Sequence, residues 1–248
     1  MGLKKISLFL ASLLLLPALA LAGGNATNDS FSHAKKMLGQ VYADHRVTIY
    51  CGAEYDAQGN VTLPVGFETP KHEKRANRIE WEHALPAESF GQAFPEWREG
   101  SPECVDNKGK AFKGRKCAEK VNPEYRMMQA DMYNLYPAIG AVNAMRSNFN
   151  YQMLAGEPAT FGTCDMKISG NKAEPPARAR GQISRTYFYM QDSYSRYHMS
   201  RQQEQLMQAW DKQYPVDAWE CTRAKRIEQL QGNENKFVKE PCVAAKLW

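Results

Sequence analysis

What this chain lacks removes several classes of function. No Cys-x-x-Cys pair occurs among its six cysteines, so a thiolate zinc site is a poor reading of them. His-Glu-x-x-His is missing too: His83 follows Glu82 and no second histidine stands four residues away, which disfavours a zinc protease. No helix-turn-helix, zinc-finger or RNA-binding signature is present, so sequence-specific readout of nucleic acid is disfavoured. There is no internal repeat and no sign of a second domain. A strong excess of one charge is also absent. The formal net charge of +5 permits binding to a polyanion without demanding it.

The one long apolar run is at the start. Lys4 and Lys5 precede Ile6–Leu16, Pro17 breaks the run, and Ala20-Leu21-Ala22 offers a small-x-small cleavage site. This reads as a secretory signal peptide over residues 1–22, with an uncleaved anchor as the competing reading. The run is too short and wrongly flanked for a stable membrane span. No cysteine follows directly after the cleavage site, which argues against a lipid anchor. Loss of the two lysines takes the net charge from +5 to +3. Residues 23–248 then form one domain, large enough to bury one core. All six cysteines lie in that part, and an even count in an exported chain reads as three disulfides. Cys104–Cys117 would close a short polar loop and Cys221–Cys242 would pin the tail. That leaves Cys51–Cys164 to tie the first strand to the middle of the chain.

Most of the chemistry is concentrated in Arg78–Gly91, R-I-E-W-E-H-A-L-P-A-E-S-F-G. Apolar Ile79 and Trp81 alternate with Glu80 and Glu82, the pattern of a half-buried strand, and Pro86 ends the run. A carboxylate beside an imidazole suggests a metal site or a tuned general base. The bland alternative is a solvated strand edge with one histidine at a turn. In a regular strand Glu82 and His83 point to opposite faces, so both serve one site only if the strand ends or twists at His83. Glu80 shares the face of Glu82 and stands as a reserve ligand. His33, His45, His72 and His198 lack comparable acidic surroundings and read as structural or surface residues.

Elsewhere, Asp29 or Ser30 caps a helix bearing Ala34, Met37, Leu38, Val41 and Tyr42, and Val47, Ile49 and Cys51 alternate as a strand. Residues 52–77 read as a long loop with weak strands. Asn122-Pro123-Glu124 opens a helix that Asn134 ends, and Pro137 opens the next one, on which Asn143, Arg146 and Ser147 share a face. Asparagine is a poor helix former, so Asn143 at mid-helix needs a reason. The segment between Asp106 and Lys120 is rich in lysine and reads mostly as a solvated face. Arg115 differs, because a guanidinium beside the Cys117 bridge is placed for bidentate contact with a phosphate. Gly170–Arg185 reads as a surface loop entering a helix, either lining a nucleic-acid groove or simply solvated. Ser200 with Gln203 forms a capping box for a further helix.

The Glu82-His83 stretch has companions in Asp131–Asn143 (D-M-Y-N-L-Y-P-A-I-G-A-V-N), Arg146–Tyr151 (R-S-N-F-N-Y), Gly114–Cys117 (G-R-K-C) and Tyr214–Arg223 (Y-P-V-D-A-W-E-C-T-R). Together these resemble the endonuclease I family, periplasmic or secreted non-specific nucleases with a ββα-metal site. The likeness covers nearly all of the chain after the leader. It implies an α+β fold: a mixed, mainly helical single domain, stapled by disulfides around a ββα-metal core. It also implies hydrolysis of DNA, and of RNA, to 5′-phosphate ends by a one-metal mechanism.

Carried over by residue, the resemblance makes Glu82 and Asn143 the ligands of one Mg²⁺, with Mn²⁺ or Ca²⁺ as substitutes. His83 becomes the general base and Arg115 the phosphate contact. In the family the ligand lies nine residues past the asparagine of N-[LI]-x-P, which selects Asn143 and leaves Asn134 a turn-holding or supporting role. Lys113, Lys116, Arg146, Arg178, Arg180 and Arg185 are the candidates for contact with the nucleic-acid backbone. Relatives often carry more cysteines, so one bridge of the family pattern is missing here. A periplasmic or secreted monomer whose disulfides form only after export would spare the cell's own DNA. A different class of reading is a secreted polyanion-binding protein that keeps the fold without cleaving.

Overall fold

The computed structural model describes residues 23–248, so the expected leader lies outside the described residues. Ser30 accepts a hydrogen bond from His33 N (3.2 Å) and opens helix α1, Phe31–Val41, which buries Ala34, Leu38 and Val41. Strands β1 (Glu54–Tyr55) and β2 (Val61–Thr62) then form a small hairpin. The single turn α2 (Glu73–Ala76) leads into β3 (Ile79–His83). Four short helices follow: α3 (Ala87–Gly91), α4 (Pro95–Arg98), α5 (Arg115–Val121) and α6 (Pro123–Gln129). Asn122 caps α6 by accepting from Tyr125 N (2.9 Å), with Pro123 at the first position, where its missing N–H has no intrahelical partner to lose. A 3₁₀ turn, Met132–Asn134, gives way to β4 (Leu135–Ile139) and helix α7 (Gly140–Arg146).

Strands β3 and β4 pair antiparallel, from Ile79 opposite Ile139 to His83 opposite Leu135, and α7 packs back on both. This ββα unit positions the site described below. It also corrects one expectation: Pro137 lies in β4 and opens no helix. Gly140 N bonds to Arg78 O (2.9 Å) and Ala84 N to Asn134 O (3.0 Å). Rungs alternate along an antiparallel pair, so Trp81 opposite Pro137 falls at a non-bonded position, where a proline needs no N–H. Its outward carbonyl accepts from Ile49 N (2.9 Å).

Beyond α7, strands β5 (Asn150–Tyr151), β6 (Lys167–Ser169) and β7 (Lys172–Glu174) make a small sheet with β7 in the middle. Helices α8 (Ala177–Ser193), α9 (Arg201–Gln213), α10 (Ala218–Gln231) and α11 (Lys236–Ala244) complete the chain, α8 packing along α9 and α10 along α11. The expected loop over Gly170–Arg185 is thus mostly strand and helix. Disulfides join Cys51 to Cys164, Cys104 to Cys117 and Cys221 to Cys242, the pairing expected. The result is an α+β, mainly helical, disulfide-stapled single domain. Among the described residues no helix is long and apolar enough to cross a membrane.

Candidate active site

Strand β3 stops at His83 and the chain turns through Ala84, Leu85 and Pro86. Asn134 fixes that turn. Its Oδ1 accepts from Leu85 N (2.7 Å) and its Nδ2 donates to Leu85 O (3.0 Å), so a side-chain amide extends the β ladder by one rung. Because the strand ends here, both of its faces open into one cleft of about 310 Å³. Glu82, His83, Arg115 and Asn143 all line it. The conflict between alternating faces and a shared site is resolved by the strand's end.

On the Glu82 face, Arg146 and Tyr50 hold the carboxylate. Glu82 is 3% exposed, and its Oε1 accepts from the Tyr50 hydroxyl (2.8 Å) and from Arg146 Nη1 (2.8 Å). Tyr50 is bonded in turn to the Tyr151 hydroxyl (2.6 Å). Oε2 has no hydrogen-bond partner among the described residues and is the oxygen left for the cleft. Burial raises the Glu82 carboxyl above its ordinary range, against the Arg146 charge and the Tyr50 hydroxyl. Arg146 corrects the expectation that it contacts nucleic acid. It is fully buried, and besides Glu82 it bonds His83 O (2.8 Å) and Ala84 O (2.7 Å) and lies 4.4 Å from the Tyr151 ring centre.

Glu80, the reserve ligand, is likewise spent. It pairs with Arg75 (2.9 Å to Nε) and, at 3.3 Å, with Arg78, and it accepts from Asn143 Nδ2 (3.0 Å). Burial would raise its carboxyl, but Arg75 outweighs that and holds it below the usual range. Tying the amide nitrogen of Asn143 leaves its Oδ1 as the end available to the cleft. Glu82 Oε2 and Asn143 Oδ1 are two oxygen donors, the chemistry a hard divalent ion such as Mg²⁺ takes while keeping water in its other positions. No group of three or more His, Cys, Asp or Glu that could hold a metal occurs among the described residues.

On the opposite face His83 is 7% exposed, between the rings of Phe31 (5.1 Å) and Phe90 (6.4 Å). Its Nε2 lies 2.9 Å from the main-chain oxygen of Gln129. A carbonyl oxygen only accepts, so Nε2 carries the hydrogen and Nδ1 the lone pair. Burial, then the charge of Arg115, pushes the imidazole down to about 3 against the pull of the Gln129 carbonyl. The ring is neutral at pH 7.

Arg115 starts α5, just after Gly114 at φ 77°, and the Cys104–Cys117 bridge anchors that turn. Its Nε donates to Gln129 Oε1 (3.0 Å), and Gln129 Nε2 donates to Glu119 Oε1 (3.0 Å). Both Nη groups of Arg115 have no hydrogen-bond partner among the described residues. Gln129 therefore holds the imidazole by its backbone and the guanidinium by its side chain. Sequence reasoning passed over it, and over Tyr50. Gln129 ends α6 beside Met127, Met128 and Ala130, and Tyr50 sits in a turn between Ile49 and Cys51, so the only signal was a polar group among apolar neighbours.

The remaining basic candidates divide. Lys113, Lys116 and Arg178 are exposed. Arg180 is committed to Glu174 (2.8 Å), Pro175 O (3.0 Å) and the Tyr214 hydroxyl (3.2 Å). Arg185 is buried against Glu220 (2.8 Å to Nε), Asp211 (2.8 Å) and Tyr214 O (3.0 Å). Arg180 and Arg185 hold α8 to its neighbours and are not available to a phosphate backbone.

The family described as Endonuclease I matches residues 28–242. An extracellular deoxyribonuclease of Aeromonas hydrophila is 41% identical over 220 residues, covering 86% of this chain and 90% of the relative. A periplasmic deoxyribonuclease of the same organism is 39% identical, covering 86% of each chain. An endonuclease-1 of Buchnera aphidicola subsp. Acyrthosiphon pisum is 36% identical, covering 87% of this chain and 83% of the relative. With the match extending over nearly all of residues 23–248, the chain belongs to the Endonuclease I family.

Proposed function

We propose that this protein is an exported endonuclease that hydrolyses phosphodiester bonds of DNA, and of RNA, without sequence preference. One observation carries the reading: a neutral imidazole with its Nδ1 lone pair free, a guanidinium with both Nη groups free, and two oxygen donors share one cleft. Export is supported by the relatives, which are extracellular and periplasmic deoxyribonucleases.

Glu82 Oε2 and Asn143 Oδ1 would hold one Mg²⁺, or Mn²⁺ or Ca²⁺ in its place, and the ion supplies orientation of the phosphate and stabilisation of charge on its oxygens. His83 Nδ1 takes the proton of the attacking water, the role a neutral imidazole fixed through its other nitrogen can fill. Attack at phosphorus breaks the bond to O3′, which takes a proton from solvent water as it leaves, so one product ends in a 3′-hydroxyl and the other keeps a 5′-phosphate. The Arg115 Nη groups hold the non-bridging oxygens in a fork and stabilise the charge that develops on them. Gln129 sets the spacing between base and arginine, because it grips both.

Nicking of supercoiled plasmid by oxidised protein of residues 23–248 tests the reading. Cleavage is expected in Mg²⁺, with none in EDTA and a loss of at least about a hundredfold for His83→Ala, the usual range of general-base catalysis. Folded protein that binds plasmid but leaves it intact in every divalent ion would instead make it a polyanion-binding protein. Cleavage that survives His83→Ala would remove His83 as the base.

A further inference from the structure

A second cleft adjoins the first, with Trp81 in the wall of both. It lies between α1, the β1–β2 hairpin and the start of β3. Its charged lining is Lys35, Arg46 and Arg78 against a single carboxylate, Asp56. That carboxylate is occupied: Asp56 accepts from Gln58 N (2.9 Å), Asn60 N (2.8 Å) and Asn60 Nδ2 (2.7 Å), closing the hairpin turn. Lys35 and Arg46 have no carboxylate partner among the described residues. Arg78 has one long contact, 3.3 Å to Glu80, and its side chain is 57% exposed. The lining also includes Tyr55, whose hydroxyl is buried with no partner. Unsatisfied donors and surplus positive charge in one concavity are the makings of an anion site. The cleft between α8, α9 and Phe237 has the reverse balance, with Asp192, Glu204 and Asp211 and no cation.

The same elements run from this cleft to the candidate active site. One ring, Phe31, lies 4.8 Å from Lys35 Nζ, 5.3 Å from the Arg115 guanidinium and 5.1 Å from the His83 ring. Strand β3 runs from Ile79, in the second cleft, to His83, in the first. At about 3.3 Å per residue that is about 13 Å, the axial rise of roughly four phosphates along one strand of duplex DNA.

We propose that this second cleft is a phosphate subsite for the nucleic-acid backbone a few nucleotides from the scissile bond. Lys35, Arg46 and Arg78 hold it, and Trp81 separates it from the reacting phosphate. The inference rests on the nuclease reading. It gives the enzyme a preference for long substrates without any contact to a base, because phosphate contacts fix position and carry no sequence.

The double variant Lys35→Ala/Arg46→Ala tests it, with Lys212→Ala, an exposed lysine at the far end of α9, as the control for loss of a cation away from the cleft. Binding to a duplex of about 20 base pairs in EDTA is titrated between about 50 and 200 mM salt. Every phosphate that a cation no longer neutralises lowers the slope of log Kd against log salt by about 0.9. The double variant is expected to reduce the slope by between one and two units, and Lys212→Ala to leave it unchanged. In Mg²⁺ the double variant should raise KM for the duplex about tenfold and lower the ratio of kcat/KM for duplex over dinucleotide by the same factor. An unchanged slope, an equal reduction from Lys212→Ala, or an unchanged ratio would overturn the subsite. Wild-type protein that cleaves neither substrate would overturn the nuclease reading instead, while the binding slope still decides the subsite.

Discussion

Arg146 gives the sharpest test of how the site is built. Its guanidinium is fully buried, donates to Glu82 Oε1 (2.8 Å), His83 O (2.8 Å) and Ala84 O (2.7 Å), and has its Nε without a partner. Arg146→Met keeps the bulk and removes the charge. Glu82 is then a buried carboxylate with only the Tyr50 hydroxyl to hold it, and two strand-end carbonyls lose their donors. Breaking a buried pair by removing one partner costs about 3–5 kcal/mol. For a chain of this size that is a fall in Tm of roughly 6–20 °C.

Glu82→Gln separates the charge from the packing. In that background Arg146→Met leaves no unpaired charge, and the remaining cost is that of the orphaned carbonyls, about 1–3 kcal/mol each when unsatisfied. The carbonyl cost is common to both backgrounds and cancels, so a double-mutant cycle should return a positive coupling of about 0.5–3 kcal/mol between Arg146 and Glu82, the range for partners in one salt-bridge network. The assay is urea unfolding of oxidised protein in EDTA, read by circular dichroism. An Arg146→Met protein as stable as wild type, with a shallower salt dependence of DNA binding, would refute the argument. It would return Arg146 to the nucleic-acid surface.

Two further outcomes follow from the same geometry. Folded His83 takes up a proton only near pH 3, whereas unfolded histidine does so near 6.5, so the unfolded chain binds more protons between them and stability is lost as pH falls through that window. In EDTA the stability of wild type relative to His83→Ala should decline below pH 6.5, by at most about 1.4 kcal/mol per pH unit, and a flat difference would contradict the buried neutral ring. Replacing Cys104 and Cys117 by serine, across a sequence separation of 13, should cost about 3 kcal/mol and lower kcat/KM more than the same change at Cys221 and Cys242, since Arg115 stands beside Cys117. Equal losses of activity from the two bridges would separate Arg115 from its anchor.

Local signals carried the parts of the fold that were legible in the sequence. Alternation marked Ile79–His83 as a strand, and Ser30, Asn122 and Ser200 each cap the helix expected of them. Pro137 misled because a proline reads equally as a helix start or as a residue at a non-bonded rung, and only the partner strand decides. The arginines misled for a related reason. Arg146, Arg180 and Arg185 find their carboxylates outside their own helical turns, at Glu82, Glu174 and Glu220 in turn, and a one-dimensional charge count does not see such pairings. Glu80 and Glu82 are equivalent by period. Arg75, Arg78 and Asn143 occupy the first, while the second keeps one oxygen open to the cleft.

That last contrast describes how the whole site is assembled. Each group at the cleft has one polar end fixed to the scaffold and the other directed inward. Glu82 is held at Oε1 by Tyr50 and Arg146, Asn143 at Nδ2 by Glu80, His83 at Nε2 by Gln129 O, and Arg115 at Nε by Gln129 Oε1. A carboxylate, an amide, an imidazole and a guanidinium each carry at least two polar sites, so one can anchor while another reacts. Groups anchored this way need not give up rotamer freedom when substrate arrives, and their charges and lone pairs already face the position the phosphate takes. The same demand accounts for the buried polar side chains that surround the cleft without lining it. Tyr50, Gln129 and Arg146 are each 1% exposed or less, and each is there because a reacting group needs a partner on its other side.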